Sequence, residues 1–205
     1  GINGDSLDRF WTGGKNTFAL NYTRGDLSID DAMQRAYDAG TAQTAGHFGK
    51  WNLELTRLQH ISERTSLYLS YQRQWAEKNL DSSEKMSLGG PHGVRAYPVG
   101  EASGDDGWRW TSELRYNVPT REGDENVWQL IAFADGGHVR LYHSGLPGYT
   151  GKMGRSLYGA GVGVNWSNQE NWVARAHYAW KLGSEDALSD TDRSGRFWFQ
   201  IYKFF

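Results

Sequence analysis

The sequence predicts an all-β protein, a transmembrane antiparallel β-barrel contributing eight strands. Three observations predict it. Polar and apolar residues alternate with period two over many stretches. No run approaches the ~18 apolar residues of a membrane helix. The connections alternate in length, long then short, along the chain. Composition agrees: 205 residues hold 26 Gly and 14% aromatics, but only 4 Pro and no Cys. Mean hydropathy is −0.70, which excludes a helical membrane protein. It leaves a barrel open, because only every second barrel residue faces lipid. The missing cysteines remove disulfides, thiolate nucleophiles and Cys-based zinc sites. A net charge of −2 provides no basic field for nucleic acid. The chain opens on Gly1 with neither Met nor signal peptide, which reads as a processed or trimmed start.

The first strand, 15–27, places Phe18, Leu20 and Tyr22 on one face. A helical stretch at 31–39 falls in the connection that follows. Strands 48–60 and 64–76 present Trp51, Leu53 and Leu55, then Leu67, Leu69 and Tyr71. Strand 108–118 sets Trp108, Trp110, Leu114 and Tyr116 against Arg109, Thr111, Glu113 and Arg115. After strand 126–141, strand 157–166 sets Tyr158, Val162, Val164 and Trp166 against Gly159, Gly161, Gly163 and Asn165. Strand 172–181 sets Trp172, Tyr178 and Trp180 against Arg175, His177 and Lys181. In the last, 195–205, Phe197, Phe199, Ile201 and Phe205 share a face with Lys203.

The long connections are 28–47, 77–107, 142–155 and 184–194; the short ones are 61–64, 119–125 and 168–171. Outer-membrane barrels carry long external loops and short periplasmic turns. Trp and Tyr near the ends of the apolar faces suit the membrane interface. The opposite faces carry Arg109, Glu113, Arg115, Arg175, Lys181 and Arg196. A dry core would bury those charges at heavy cost, whereas a water-filled lumen accepts them. A soluble eight-stranded ligand carrier has no reason to alternate its loops this way. The expected setting is the bacterial outer membrane, among its lipids and lipopolysaccharide. The terminal Phe205 marks a strand handed to the barrel assembly machinery, with Tyr202 and Phe204 offering another register.

Loop 77–107 contains Gly89-Gly90-Pro91-His92-Gly93-Val94-Arg95-Ala96-Tyr97-Pro98 and then Gly100-Glu101-Ala102-Ser103-Gly104-Asp105. So long and glycine-rich a segment is either disordered or specifically packed. A buried Arg95 needs a carboxylate partner, and Asp135 and Glu113 both fall on the inward register. Gly159, Gly161 and Gly163 provide either strand curvature or a bare wall for the loop tip. Asp105-Asp106 between glycines reads as a solvated turn, and Arg193 and Arg196 as loop charge or a lumen patch. His47, His60, His92, His138, His143 and His177 lack ligand spacing, and no serine has a nucleophile-elbow context. No catalytic residue, metal or cofactor is expected, which sets aside an outer-membrane enzyme such as a lipase.

These motifs, with Glu113-Leu114-Arg115-Tyr116, 133–137 and Asp192-Arg193-Ser194-Gly195-Arg196-Phe197-Trp198, resemble the outer-membrane translocators of two-partner secretion. These are the TpsB family of haemolysin or adhesin secretion/activation proteins, and the likeness covers most of the chain. The resemblance implies a roughly sixteen-stranded barrel preceded by periplasmic POTRA domains. Residues 1–205 would then be the C-terminal half of the barrel, without POTRA domains. It implies that the long loop folds into the lumen and that Arg95 pairs with Asp135 of the Phe-x-Asp-x-Gly motif. Val94, Tyr97, Phe133 and Gly137 would help seat the loop. Ala96 stands where the wider superfamily usually has Gly. The implied function is ATP-independent export of a partner exoprotein through a porin-like pore. The alternative is an insertase of the same superfamily. A half-length chain leaves two sheet edges, which a larger barrel or self-association would close.

Overall fold

The structure, a computed structural model, describes residues 1–121, 123, 125–168 and 171–205. One antiparallel nine-stranded sheet follows chain order. Its members are β1 (Ile2–Asp8), β2 (Gly14–Leu27), β3 (Gly46–His60), β4 (Thr65–Ala76), β7 (Asp106–Asn117), β8 (Val127–Arg140), β9 (Gly154–Ser167), β10 (Trp172–Lys181) and β11 (Gly195–Lys203). Two short strands, β5 (Met86–Ser87) and β6 (Ser103–Gly104), pair within the connection between β4 and β7. Among the described residues, no helix is long and apolar enough to cross a membrane. Eight of the nine sheet strands run 9 to 15 residues, and a tilted crossing needs about 9–11.

The alternation read from the sequence decides which way each residue points. One row across the sheet pairs Leu67, Leu114, Ala132, Val162, Tyr178 and Phe197. Most of these side chains are exposed, as a lipid-facing surface requires. The adjacent row pairs Tyr68, Glu113, Phe133, Gly161, Ala179 and Arg196. That inward face carries the buried cluster. Leu88, Val94, Ala96, Tyr97 and Ala102 of the β4–β7 connection pack there against Ile131, Phe133, Val139, Leu157 and Ala179 of the sheet, with Ala187 joining from the β10–β11 loop. A single sheet has only one inward surface to cover, and the long connection covers it.

Several expectations need correction. The eight strands become nine, because residues Ile2–Asp8 form β1 against β2. Its seven residues INGDSLD lack an apolar face, so its place rests on the backbone ladder. The last strand stops at Lys203, and Phe205 stands beyond it, fully exposed. The outer face is also not uniformly apolar. Near the 9–13 turn, Arg57 binds Asp8 at 2.6 and 3.1 Å and Asn16 at 2.6 Å. Such a cluster suits the end of a barrel, where lipid gives way to headgroups and water. Asp105-Asp106 is not a solvated turn. Asp105 is fully buried against Lys85 at 2.8 Å, and both acids bind His143.

The helical stretch is present as α1 (Ala32–Gly40), whose Asp31 cap accepts the Gln34 amide at 2.8 Å. Asp38 then accepts the Thr44 and Ala45 amides and closes the loop behind the helix. Long and short connections alternate as expected, with 9–13 joining the short set. Of the short connections 119–125 and 168–171, Glu122, Asp124, Gln169 and Glu170 lie outside the described residues.

Candidate functional site

The Gly-rich loop builds itself before it meets the wall. Val94 N donates to the Leu88 carbonyl at 2.7 Å, and Gly90 N to the Tyr97 carbonyl at 3.1 Å. Residues 94–97 then turn, with Tyr97 N donating to the Val94 carbonyl at 3.1 Å. This turn presents Arg95 to the inward face. Gly93 sits hard against the Leu88 carbonyl, where a Cβ could not fit. Gly137 leaves the matching space in the wall: a Cβ there would lie 2.7 Å from the Leu88 side chain.

Arg95 is 3% exposed. Its Nε and Nη2 donate to the two oxygens of Asp135 at 2.8 Å each, a bidentate fork. Nη1 donates to Glu113 Oε1 at 2.7 Å, so both candidate partners are used at once. The Arg95 amide adds a bond to Asp135 at 3.2 Å. Arg115 binds the other Glu113 oxygen at 2.6 Å, and the Thr111 hydroxyl donates to Asp135 at 2.9 Å. Two cations thus face two anions, and their polar atoms are met from several directions. The guanidinium also lies 3.4 Å from the centre of the Phe133 ring, a close cation–π stack. Burial opposes the charge on Arg95, but bonding to Asp135 and Glu113 outweighs it and raises the guanidinium above its ordinary range.

Val94 and Tyr97 are fully buried beside this centre. Burial pushes the Tyr97 hydroxyl up to about 12, and it donates to the Glu185 carbonyl at 2.9 Å. Of the three wall glycines, only Gly159 faces the tip directly, against Ala96. Gly161 faces the Phe133 ring and Gly163 faces His177. Thr111 and Trp198 were not singled out by sequence as anchoring residues. Thr111 shares the inward register of Glu113. Trp198 lies within the 192–198 motif, and its indole donates to the Arg95 carbonyl at 2.7 Å.

The loop is held a second time further out. Glu101, almost fully buried, accepts Arg155 on one oxygen and the Leu188 and Ser189 amides on the other, at 2.9 and 2.8 Å. Burial acts to raise its pKa, but these bonds outweigh it and hold the carboxyl below the ordinary 4.5. A depressed carboxylate pKa adds stability at neutral pH that is lost as pH falls through the folded-state value. Protection of the Leu188 and Ser189 amides, taken relative to the intrinsic exchange rate at each pH, should therefore persist through the ordinary carboxylate range and fall only in stronger acid. Loss of protection already near pH 6 would mean that Glu101 does not order these amides.

A family model described as haemolysin secretion/activation protein ShlB/FhaC/HecB matches residues 6–166. The chain belongs to this family. Two relatives are the heme/hemopexin transporter protein HuxB of Haemophilus influenzae, 27% identical, and the outer membrane transporter CdiB of Dickeya dadantii, 28% identical. Those matches take in 94% and 82% of this chain, but 33% and 28% of the relatives. Among solved structures, CdiB from Escherichia coli superposes with a TM-score of 0.73 at 19% identity, over 95% of this chain and 34% of that one. The chain therefore spans about a third of the length of the relatives it matches. The antiparallel transmembrane-barrel fold class holds. Among the described residues, β1 and β11 do not pair with each other.

Proposed function

We propose that this chain is the C-terminal part of an outer-membrane transporter that exports a partner exoprotein of haemolysin or adhesin type without ATP. The observation that carries this reading is the loop between β4 and β7, buried along the inward face and fixed there by Arg95, Asp135 and Glu113. A loop used only for surface recognition has no need of a buried ionic anchor inside the sheet. A pore that must stay shut until its cargo arrives does. The inward face offers Glu54, Gln72, Arg115, Gln129, Asn165 and Arg175 around a cavity of about 530 Å³ beside the anchor. An extended chain could exchange hydrogen bonds with these groups while its own backbone stays wet. The work is done by binding and passage, with no bond made or broken. Folding of the cargo outside would pull it through.

The remaining strands and the POTRA domains belong to the rest of the protein, and edges β1 and β11 join the strands that complete the barrel. Lipid and lipopolysaccharide cover the outer face, and the assembly machinery receives the C-terminal strand ending near Phe205. Deleting the full-length gene should leave the adjacent exoprotein in the periplasm, and restoring it should return that protein to the medium. If deletion instead depletes unrelated barrels from the outer membrane, the insertase reading replaces this one.

A further inference from the structure

Segment 100–105 and loop 182–194 meet at the long-loop end of the sheet. Glu101 joins them. Its Oε2 accepts the Leu188 and Ser189 amides at 2.9 and 2.8 Å and the Ser189 hydroxyl at 2.8 Å. Its Oε1 takes the Arg155 guanidinium, which also donates to the Asp186 carbonyl at 2.7 Å. Meanwhile the Glu101 backbone carbonyl accepts the Leu88 and Gly89 amides at 3.2 and 3.0 Å. One residue thus closes the in-folded loop with its backbone and grips the neighbouring loop with its side chain. Ala102 beside it holds a positive φ of 54°, a conformation that costs a non-glycine residue energy and persists only where its surroundings impose it.

Loop 182–194 contains no helix or strand. Its order comes from Glu101, from Tyr97 and Lys181 bound to the Glu185 carbonyl, from Arg155 bound to the Asp186 carbonyl, from Asp192 bound to Lys181 and the Ala187 amide, and from Arg196 bound to Asp190. The two anchors differ in what must break. Lifting the loop from Glu101 gives up two amide bonds and one hydroxyl bond from a segment whose Leu188 is 75% exposed and whose Ser189 and Asp190 lie open to solvent. Freeing Arg95 breaks ion pairs to two buried carboxylates, which costs far more.

We propose that Glu101 is a positioning residue that latches loop 182–194 over the mouth of the lumen. The mouth opens when this loop lifts from Glu101 while Arg95 stays anchored. This rests on the export reading above.

The chain has no cysteine, so a paired-thiol experiment is clean once any cysteine elsewhere in the full-length protein is replaced by serine. Glu101→Cys with Ser189→Cys, joined by a short cleavable bis-thiol reagent, should stop export of the exoprotein, and cleavage of the reagent should restore it. Undiminished export by the joined form overturns the latch. Independently, Glu101→Gln in planar bilayers should raise open-state occupancy several-fold over the unsubstituted protein. Unchanged occupancy also overturns the latch. An unsubstituted protein that conducts but exports nothing removes the export reading, and the conductance comparison then decides the latch alone.

Discussion

Arg95→Ala is expected to abolish export of the exoprotein while leaving the sheet inserted in the membrane. The guanidinium carries three of the bonds that satisfy Asp135 and Glu113, which are 1% and 8% exposed. Removing it leaves Asp135 with the Thr111 hydroxyl and a backbone amide, and Glu113 with Arg115 alone. Breaking a buried pair by deleting one partner costs about 3–5 kcal/mol. Lost stacking on Phe133 adds roughly 0.5–2 kcal/mol. None of this falls on the backbone ladders of the nine strands, so the penalty is paid by the loop. Residues 88–101 should leave the wall and become open to externally added protease, and the pore should conduct more freely. Arg95→Lys should fall between, because one ammonium cannot form the bidentate fork and still reach Glu113. Normal export by Arg95→Ala, with the loop still protected, would retire the anchor.

The sequence revealed this centre because its parts lie on one face of predicted strands. Asp135 and Glu113 share the inward register, so once Arg95 needed a carboxylate, both stood in reach. The structure shows that the choice between them was unnecessary. Trp198 could not be found that way. Its bond to the Arg95 carbonyl joins residues 103 positions apart, and depends on how far the loop tip reaches toward β11. The Asp105-Asp106 pair misled for a similar reason. Acids between glycines suit a turn, and their partners Lys85 and His143 lie on separate connections that alternation does not position. β1 escaped notice because Asp5, Ser6 and Asp8 break any apolar alternation, while backbone pairing to β2 does not depend on side chains. The long connections were legible as long. How they bind one another was not, because Glu101 and Tyr97 bind partner backbone groups that carry no residue code.

Gly159→Val is the second substitution with a large expected effect, and it separates two meanings of the β9 glycines. A Cβ at Gly159 would lie 2.7 Å from the Ala96 Cβ and 3.2 Å from the Trp180 carbonyl. Ala96 has no flexible end to swing aside, so the turn carrying Arg95 must itself shift. Overpacking of this kind costs about 1–3 kcal/mol, here spent at the residue next to the anchor. Pore conductance should rise and the loop tip lose protease protection, with the barrel still assembled. At Gly161 the added group meets the Phe133 ring and the Tyr178 carbonyl instead, so Gly161→Val should disturb the wall first and the loop through Phe133. The compensating pair decides the matter. If Gly159 is bare because the tip packs on it, Gly159→Ala should loosen the loop, and Ala96→Gly in the same chain should largely restore it by moving the methyl group across the contact. If Gly159 instead allows the strand to bend, Ala96→Gly will rescue nothing, since the strain of Gly159→Ala would then lie within β9 and its neighbours.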